Sequence, residues 1–232
     1  MGGCMKKRGL NAFLSIFLLI ILAGIFSVIM ICTNEKLEKR EPSIYKSLDD
    51  FKTTKVTEAY KTMISKADKK VQLVIDEQEL NDLTAIVIQD YEKNADAIDI
   101  SGYSAQINTD SITIRLDSKL FELLSTQYVL KIKPSIVDKK LNMFVSEFKV
   151  GKFPLSPKTF LKQIQTSDKS NYYVDLEQQS IVIENKYPEQ MIFNDIKLEQ
   201  GKVSMEFALS IKNVKDLMKI LGTLLPEGLK QP

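Results

Sequence analysis

Residues 147–161 read EFKVGKFPLSPKTFL, and the reading of this stretch decides the fold. Alternating apolar residues run into Gly151, pass two prolines and at once begin a short helical pattern. Gly151 and Pro154 end a strand. Ser156 then stands at an N-cap position and Pro157 at the first helical position, where a missing N–H costs nothing. Phe160, Leu161 and Ile164 follow as a short apolar stripe, so the segment predicts a strand-to-helix corner.

The same short elements recur on either side. Leu141 to Val150 alternates until its apolar phase slips near Ser146, which predicts a bulge. Ile112, Ile114 and Leu116 alternate with Thr113 and Arg115, and Tyr128, Leu130 and Ile132 with Val129 and Lys131, the period of half-buried antiparallel strands. Residues 100–108 supply one more partner. Before them VQLVI (71–75) reads as a strand, and Asp76 stands three residues ahead of Glu79 in a capping-box arrangement. Leu80, Leu83, Val87 and Tyr91 continue at helical spacing, widened by Ile86 and Ile88, and predict the longest helix of the domain, well buried.

After the corner the order repeats. Tyr172, Val174 and Leu176 alternate, as do Ile181 and Ile183, and residues 191–199 lead through Gly201 into Val203, Met205, Phe207, Leu209 and Ile211. Asn213 can cap a final helix carrying Leu217, Leu221 and Leu224, which Pro226 stops. The expected class is therefore α+β: a curved antiparallel sheet packed on a long helix, with a helix plus four strands occurring twice. Eight such strands present about 700 Å² on one face and three helices cover about 550 Å², which favours a sheet that keeps an apolar groove.

Ahead of the domain, MGGCMKKRG precedes an uncharged run from Leu10 to Cys32, long enough at 1.5 Å per residue to cross a hydrocarbon core of about 30 Å. A cleaved signal peptide is the competing reading, but Val28, Ile29, Met30 and Ile31 are poor residues for a cleavage site. The organisation expected is a basic cytoplasmic tail (1–9, with Met5 as an alternative start), a transmembrane anchor (10–32), a polar stalk (33–70) and an extracytoplasmic domain (71–232). This makes it a single-pass protein of the cell membrane with its N-terminus inside.

Composition excludes several functions. Lys+Arg 32 against Asp+Glu 30 leaves a net charge of +2, far from a nucleic-acid-binding surface. Cys4 and Cys32 bracket the apolar run and stand too far apart for a disulfide within one chain. With no histidine in the chain, Ser-His-Asp and Cys-His catalysis and histidine-based zinc sites are absent. Ser43-Ile44-Tyr45-Lys46 matches S-x-x-K but lies in the stalk with no K-T-G after it. Asp49-Asp50 reads as solvated charge, and Asp175, Glu177, Glu184 and Asp195 could approach one another in a sheet. No catalytic residue, metal site or cofactor is expected, and an enzyme is not.

Phe144, Phe148, Phe153, Phe160, Phe193 and Phe207 have two open roles, as core or as lining of a lipid slot. The candidate groove residues are Leu80, Leu83, Val87, Ile114, Leu130, Ile132, Phe148, Phe153, Met205, Phe207 and Leu209.

The basic N-terminus and single span, the strand running into DEQELNDL, and KIKPSIVDKKLNMFVSEFKVGKFPLSPKTFLKQI together resemble the YpmS-like proteins of Gram-positive bacteria. Lys139-Lys140 stands where that family commonly has a turn glycine. The resemblance implies a plan similar to TULIP-like lipid-binding domains, no known activity and no catalytic residue to carry over. A membrane-tethered, extracytoplasmic protein that binds or hands on a lipid or lipid-linked envelope precursor through an apolar groove is the expected function. Its alternative is a non-catalytic scaffold recruiting a cell-envelope enzyme.

Overall fold

The computed structural model describes residues 36–65, 70–94, 99–120, 124–164, 172–184 and 191–209. Their order is α1 (Leu48–Ser65), β1 (Lys70–Asp76), α2 (Glu77–Asn94), β2 (Ile100–Ile107), β3 (Ile112–Leu120), β4 (Leu124–Val137), β5 (Lys140–Val150) and β6 (Phe153–Leu155). α3 (Pro157–Leu161), β7 (Tyr172–Asp175), β8 (Ser180–Ile183), β9 (Met191–Glu199) and β10 (Lys202–Leu209) complete it.

The strands form two antiparallel sheets. A seven-stranded sheet runs β2-β3-β4-β5-β8-β7, with β6 added beside β5, and a three-stranded sheet runs β1-β10-β9. Directly opposed residues of paired strands share a face. In the large sheet this places Ala105, Ile114, Leu130, Phe148 and Leu155 in one row, and Tyr103, Leu116, Tyr128, Val150 and Phe153 in the next. Lower rows on the same face hold Ile107, Ile112, Ile132 and Val145, then Ile136, Leu141 and Ile183.

The small sheet packs over those lower rows. Val71, Phe193, Phe207 and Leu209 bury themselves with Leu141, against Ile136, Met143 and Ile183. Val203 joins Ile107 and Ile112, with Leu80, Ile114 and Ile196 around them. Phe193 and Phe207 lie 5.1 Å apart between ring centroids, tilted by 37°.

Several local readings of the sequence recur in the structure. Asp76 Oδ1 accepts the Glu79 N–H at 2.9 Å and Glu79 Oε2 accepts the Asp76 N–H at 3.1 Å, a reciprocal capping box that starts α2. The register of β4 against β5 slips between Lys131 and Ile132, leaving Ser146 as the extra residue of a bulge. The opening stretch is more than a corner, however. Gly151, at φ 59, turns the chain so that Phe153–Leu155 pairs back on β5 before α3 begins at Pro157. Ser156 has the extended backbone of an N-cap, but its side chain makes no cap bond.

The α+β plan is corrected by this topology. The described residues are mainly antiparallel sheet, and no long helix lies beneath it; α2 packs along β2 at one margin. The helix-plus-four-strands repeat is also absent, because α3 has five residues, β7 and β8 have four each, and β10 returns to β1 instead of extending the large sheet. Alternation reveals that a strand exists, but not which distant strand it will pair with. The final helix expected around Leu217 to Leu224 lies outside the described residues.

The single-pass, extracytoplasmic location is corrected as well. Among the described residues no helix is long and apolar enough to cross a membrane, and the run from Leu10 to Cys32 lies outside them. The two 18-residue helices carry acidic first turns and polar faces, so neither could shed its water for lipid.

The β4–β5 turn explains the missing glycine. Asp138 and Lys139 both have positive φ, 50 and 61, as a two-residue type I′ hairpin demands. A lysine in that conformation carries steric strain that glycine avoids. Lys139→Gly should therefore stabilise the protein by about 0.5–1 kcal/mol, read as a higher urea midpoint.

Candidate functional site

Three faces of α2 organise the site, since successive residues step by about 100° around a helix. One face meets β2: Ala85 and Ile88 are buried against Ile100, Tyr103 and Leu116. On the same face the Asn81 carboxamide donates to the Ala105 carbonyl and accepts its N–H, at 2.7 and 2.8 Å. A second face holds an extended strap, residues 36–47. The third carries Leu80, Thr84, Val87 and Tyr91.

The strap is held by carboxylates that accept backbone N–H groups. Asp82 is almost fully buried and accepts from Ser43 at 2.9 Å, from Tyr45 at 3.1 Å and from Ile44 between them. Asp117 accepts the Leu37 N–H at 2.6 Å while the Gln127 side chain fixes its other oxygen at 2.9 Å. Glu79 receives the Tyr45 hydroxyl at 2.5 Å and the Lys55 ammonium at 2.6 Å, which ties α1 to α2. At the other end of α2, Lys39 pairs with Glu92 at 2.7 Å. The strap covers the exposed edge of β2, where the Tyr103 N–H donates to the Glu38 carbonyl. It lies so close that a Cβ on Gly102 would stand 2.2 Å from the Leu37 carbonyl oxygen.

Burial opposes the charge on Glu79, but Lys55, the Tyr45 hydroxyl and the Asp76 N–H outweigh it and hold the carboxyl below its ordinary range. Burial and the adjacent Glu79 carboxylate push the Tyr45 phenol up. Burial would likewise discharge Lys55, yet its bonds to Glu79 and Glu58 keep its pKa raised.

A polar cleft of about 620 Å³ opens between the strap, the start of α2 and β2. Several of its polar side chains are already engaged. Glu77 accepts the Ile107 N–H, Gln78 donates to Ser43, Gln106 accepts from Arg115, and Asp82 holds the strap. Ser43, of the S-x-x-K match, is 3.3 Å from Asp82 through its hydroxyl, and Lys46 contributes its backbone N–H to Asp50. Among the described residues no hydrogen bond joins the Ser43 and Lys46 side chains.

The apolar candidates separate into two groups. Ile132, Phe207 and Leu209 are buried, and Leu80, Ile114 and Met205 pack against core clusters, so these six fill the space between the sheets. Leu83 is half-buried. Val87 and Tyr91, by contrast, are 53% and 44% exposed, although their stripe was expected to be well buried. Phe153 and Leu155 on β6 are 42% and 37% exposed.

Between these walls run the two upper rows of the large sheet, with Leu130 and Tyr128 half-buried and Phe148 buried beneath Phe160, ring centroids 5.3 Å apart. Phe160, one of the phenylalanines read as core or slot lining, borders these rows, as do Tyr128, Val150 and Leu155, which were not singled out as groove residues from sequence. Their signal is cross-strand register, which no single strand displays.

The remaining chemistry is dispersed. Asp175 accepts the N–H groups of Glu177 and Gln178, Glu184 pairs with Lys140, and Asp195 pairs with Lys197. Among the described residues no cluster of three metal-ligating side chains exists. No protein-family profile, curated protein or solved structure matches this chain.

Two outcomes follow from the strap. Gly102→Ala should displace it, so that trypsin cuts after Lys39, Arg40 or Lys46 several times faster while the sheets stay resistant. Because Glu79 is depressed in the folded state, it stabilises the fold above its ordinary value of 4.5 and loses that contribution as pH falls through the lower folded value. The stability gap between wild type and Glu79→Gln should accordingly be constant from pH 7 to about 5.5 and close at more acid pH in urea titrations.

Proposed function

We propose that this protein is a non-catalytic binding module that takes up a single apolar chain, such as the acyl chain of a lipid, in the trough between α2 and β6. One observation carries the reading: Val87 and Tyr91 on the helix beside β2, and Phe153 and Leu155 on β6, stay exposed to either side of an apolar floor holding the half-buried Tyr128 and Leu130. Exposed apolar side chains scattered singly need no explanation, but a set gathered around a common floor marks a binding surface. No hydrogen-bonding side chain interrupts the two rows between Leu116 and Leu155 other than the Tyr128 hydroxyl, as suits a ligand without polar groups along its length.

Mass spectrometry of lipids co-purifying with the full-length chain, and displacement of a fluorescent fatty-acyl probe, test it. Phe207 lies in the filled core, so Phe207→Ala should cost about 3–5 kcal/mol. Val87→Glu and Phe153→Glu should leave melting within a few degrees of wild type and weaken probe binding at least about tenfold, the scale of a charge placed against an acyl chain. A wild-type chain that binds no probe would overturn the reading and favour a docking scaffold.

A further inference from the structure

We infer that the ligand of the trough carries an anionic head group, phosphate or carboxylate, received by Lys152, Lys158 and Lys162 at the β6–α3 rim. This rests on the trough being the binding site.

The chain as a whole is nearly balanced, with 32 basic and 30 acidic residues. Much of its described lysine charge is matched by a carboxylate: Lys39 by Glu92, Lys70 by Glu206, Lys119 by Asp99, Lys133 by Asp110 and Lys140 by Glu184. Other described lysines, among them Lys36, Lys46, Lys131, Lys139 and Lys202, meet no described carboxylate, and what sets the stretch from Phe148 to Ile164 apart is its own composition. It holds four lysines and no acidic residue. Of the four only Lys149 meets a carboxylate, that of Glu147. Lys152, Lys158 and Lys162 are exposed, and among the described residues their ammonium groups have no hydrogen bond or ion pair.

These lysines belong to the segment that builds the trough wall. Lys152 sits in the tight turn beside Phe153, anchored where the Gly151 N–H donates to the Gln127 carbonyl at 2.7 Å. Lys158 and Lys162 are one helical turn apart, joined by the Lys162 N–H to the Lys158 carbonyl at 3.0 Å, and flank the Phe160 that rests on Phe148. Lys152 precedes β6 and Lys158 and Lys162 follow it, so the three ammonium groups belong to the two ends of the strand that borders the trough. Three cations near one apolar mouth repel each other, and an anion at the end of an apolar chain relieves the repulsion while the chain covers the floor. Lysines also discourage edge strands from pairing with other chains, a role that needs no ligand.

Calorimetry of the full-length chain with dodecyl phosphate, dodecanol and inorganic phosphate separates these roles. Dodecyl phosphate should bind about tenfold more tightly than dodecanol, the scale of three exposed charge contacts. Raising salt to about 0.5 M should remove most of the difference. In the Lys152→Gln/Lys158→Gln/Lys162→Gln variant the two amphiphiles should bind alike, with dodecanol affinity unchanged; Lys158→Gln/Lys162→Gln serves should the triple variant fold poorly. Equal affinity of the two amphiphiles for the wild type would overturn the anionic head group and leave the trough standing. Binding of neither would overturn the trough itself, and inorganic phosphate binding as tightly as dodecyl phosphate would overturn the link between head and chain.

Discussion

The pairing of β1 with β10 is the constraint on which the rest of the molecule depends. It joins Val71 to Phe207 and Ile75 to Val203, residues more than 120 positions apart, and so builds a second sheet out of the two ends of the domain. That sheet covers the lower apolar rows of the large one, where Leu141, Ile107 and Ile112 are buried. It is only three strands wide. A seven-stranded sheet therefore keeps its upper rows free of sheet cover, and α2 shields them only along β2. The trough follows from this mismatch in width. Closing such distant contacts carries a large chain-entropy cost, which the buried phenylalanine pair and the clusters around it offset.

Electrostatics acts at the other margin of α2. Asp82, Asp117 and Glu79 would be costly to bury alone, and each is compensated by backbone N–H groups, a hydroxyl or the Lys55 ammonium. The strap they hold covers the edge of β2 and one face of α2, while Val87 and Tyr91 stay exposed. One helix thus has a polar, saturated side and an apolar, unsaturated side. The first holds the strap, and the second leaves Val87 and Tyr91 exposed.

Local features were legible in the sequence because their causes are local. The Asp76–Glu79 capping box, the bulge at Ser146 and the turn at Gly151 each follow from a few adjacent residues and recur in the structure. The Lys139 turn was legible in part, as a place where glycine was to be expected. The candidate groove residues separate in the structure: Val87 and Phe153 stay exposed, whereas Ile132, Met205, Phe207 and Leu209 pack in the core. Both groups carry the same alternation, so their hydrophobicity could not separate them.

By itself the sequence determined the strand periods, the turns, the helix start and the absence of histidine chemistry, since each depends on residue type and near-neighbour spacing. The tertiary structure alone decided that the strands divide into two sheets, that residues 36–47 lie strapped to α2, and which apolar residues stay uncovered. The physical reason is that burial is a property of a pair of surfaces. A strand's alternation says which of its faces is apolar, and only the partner brought to that face, here the narrow β1-β10-β9 sheet, decides whether Phe207 is core and Phe153 is surface.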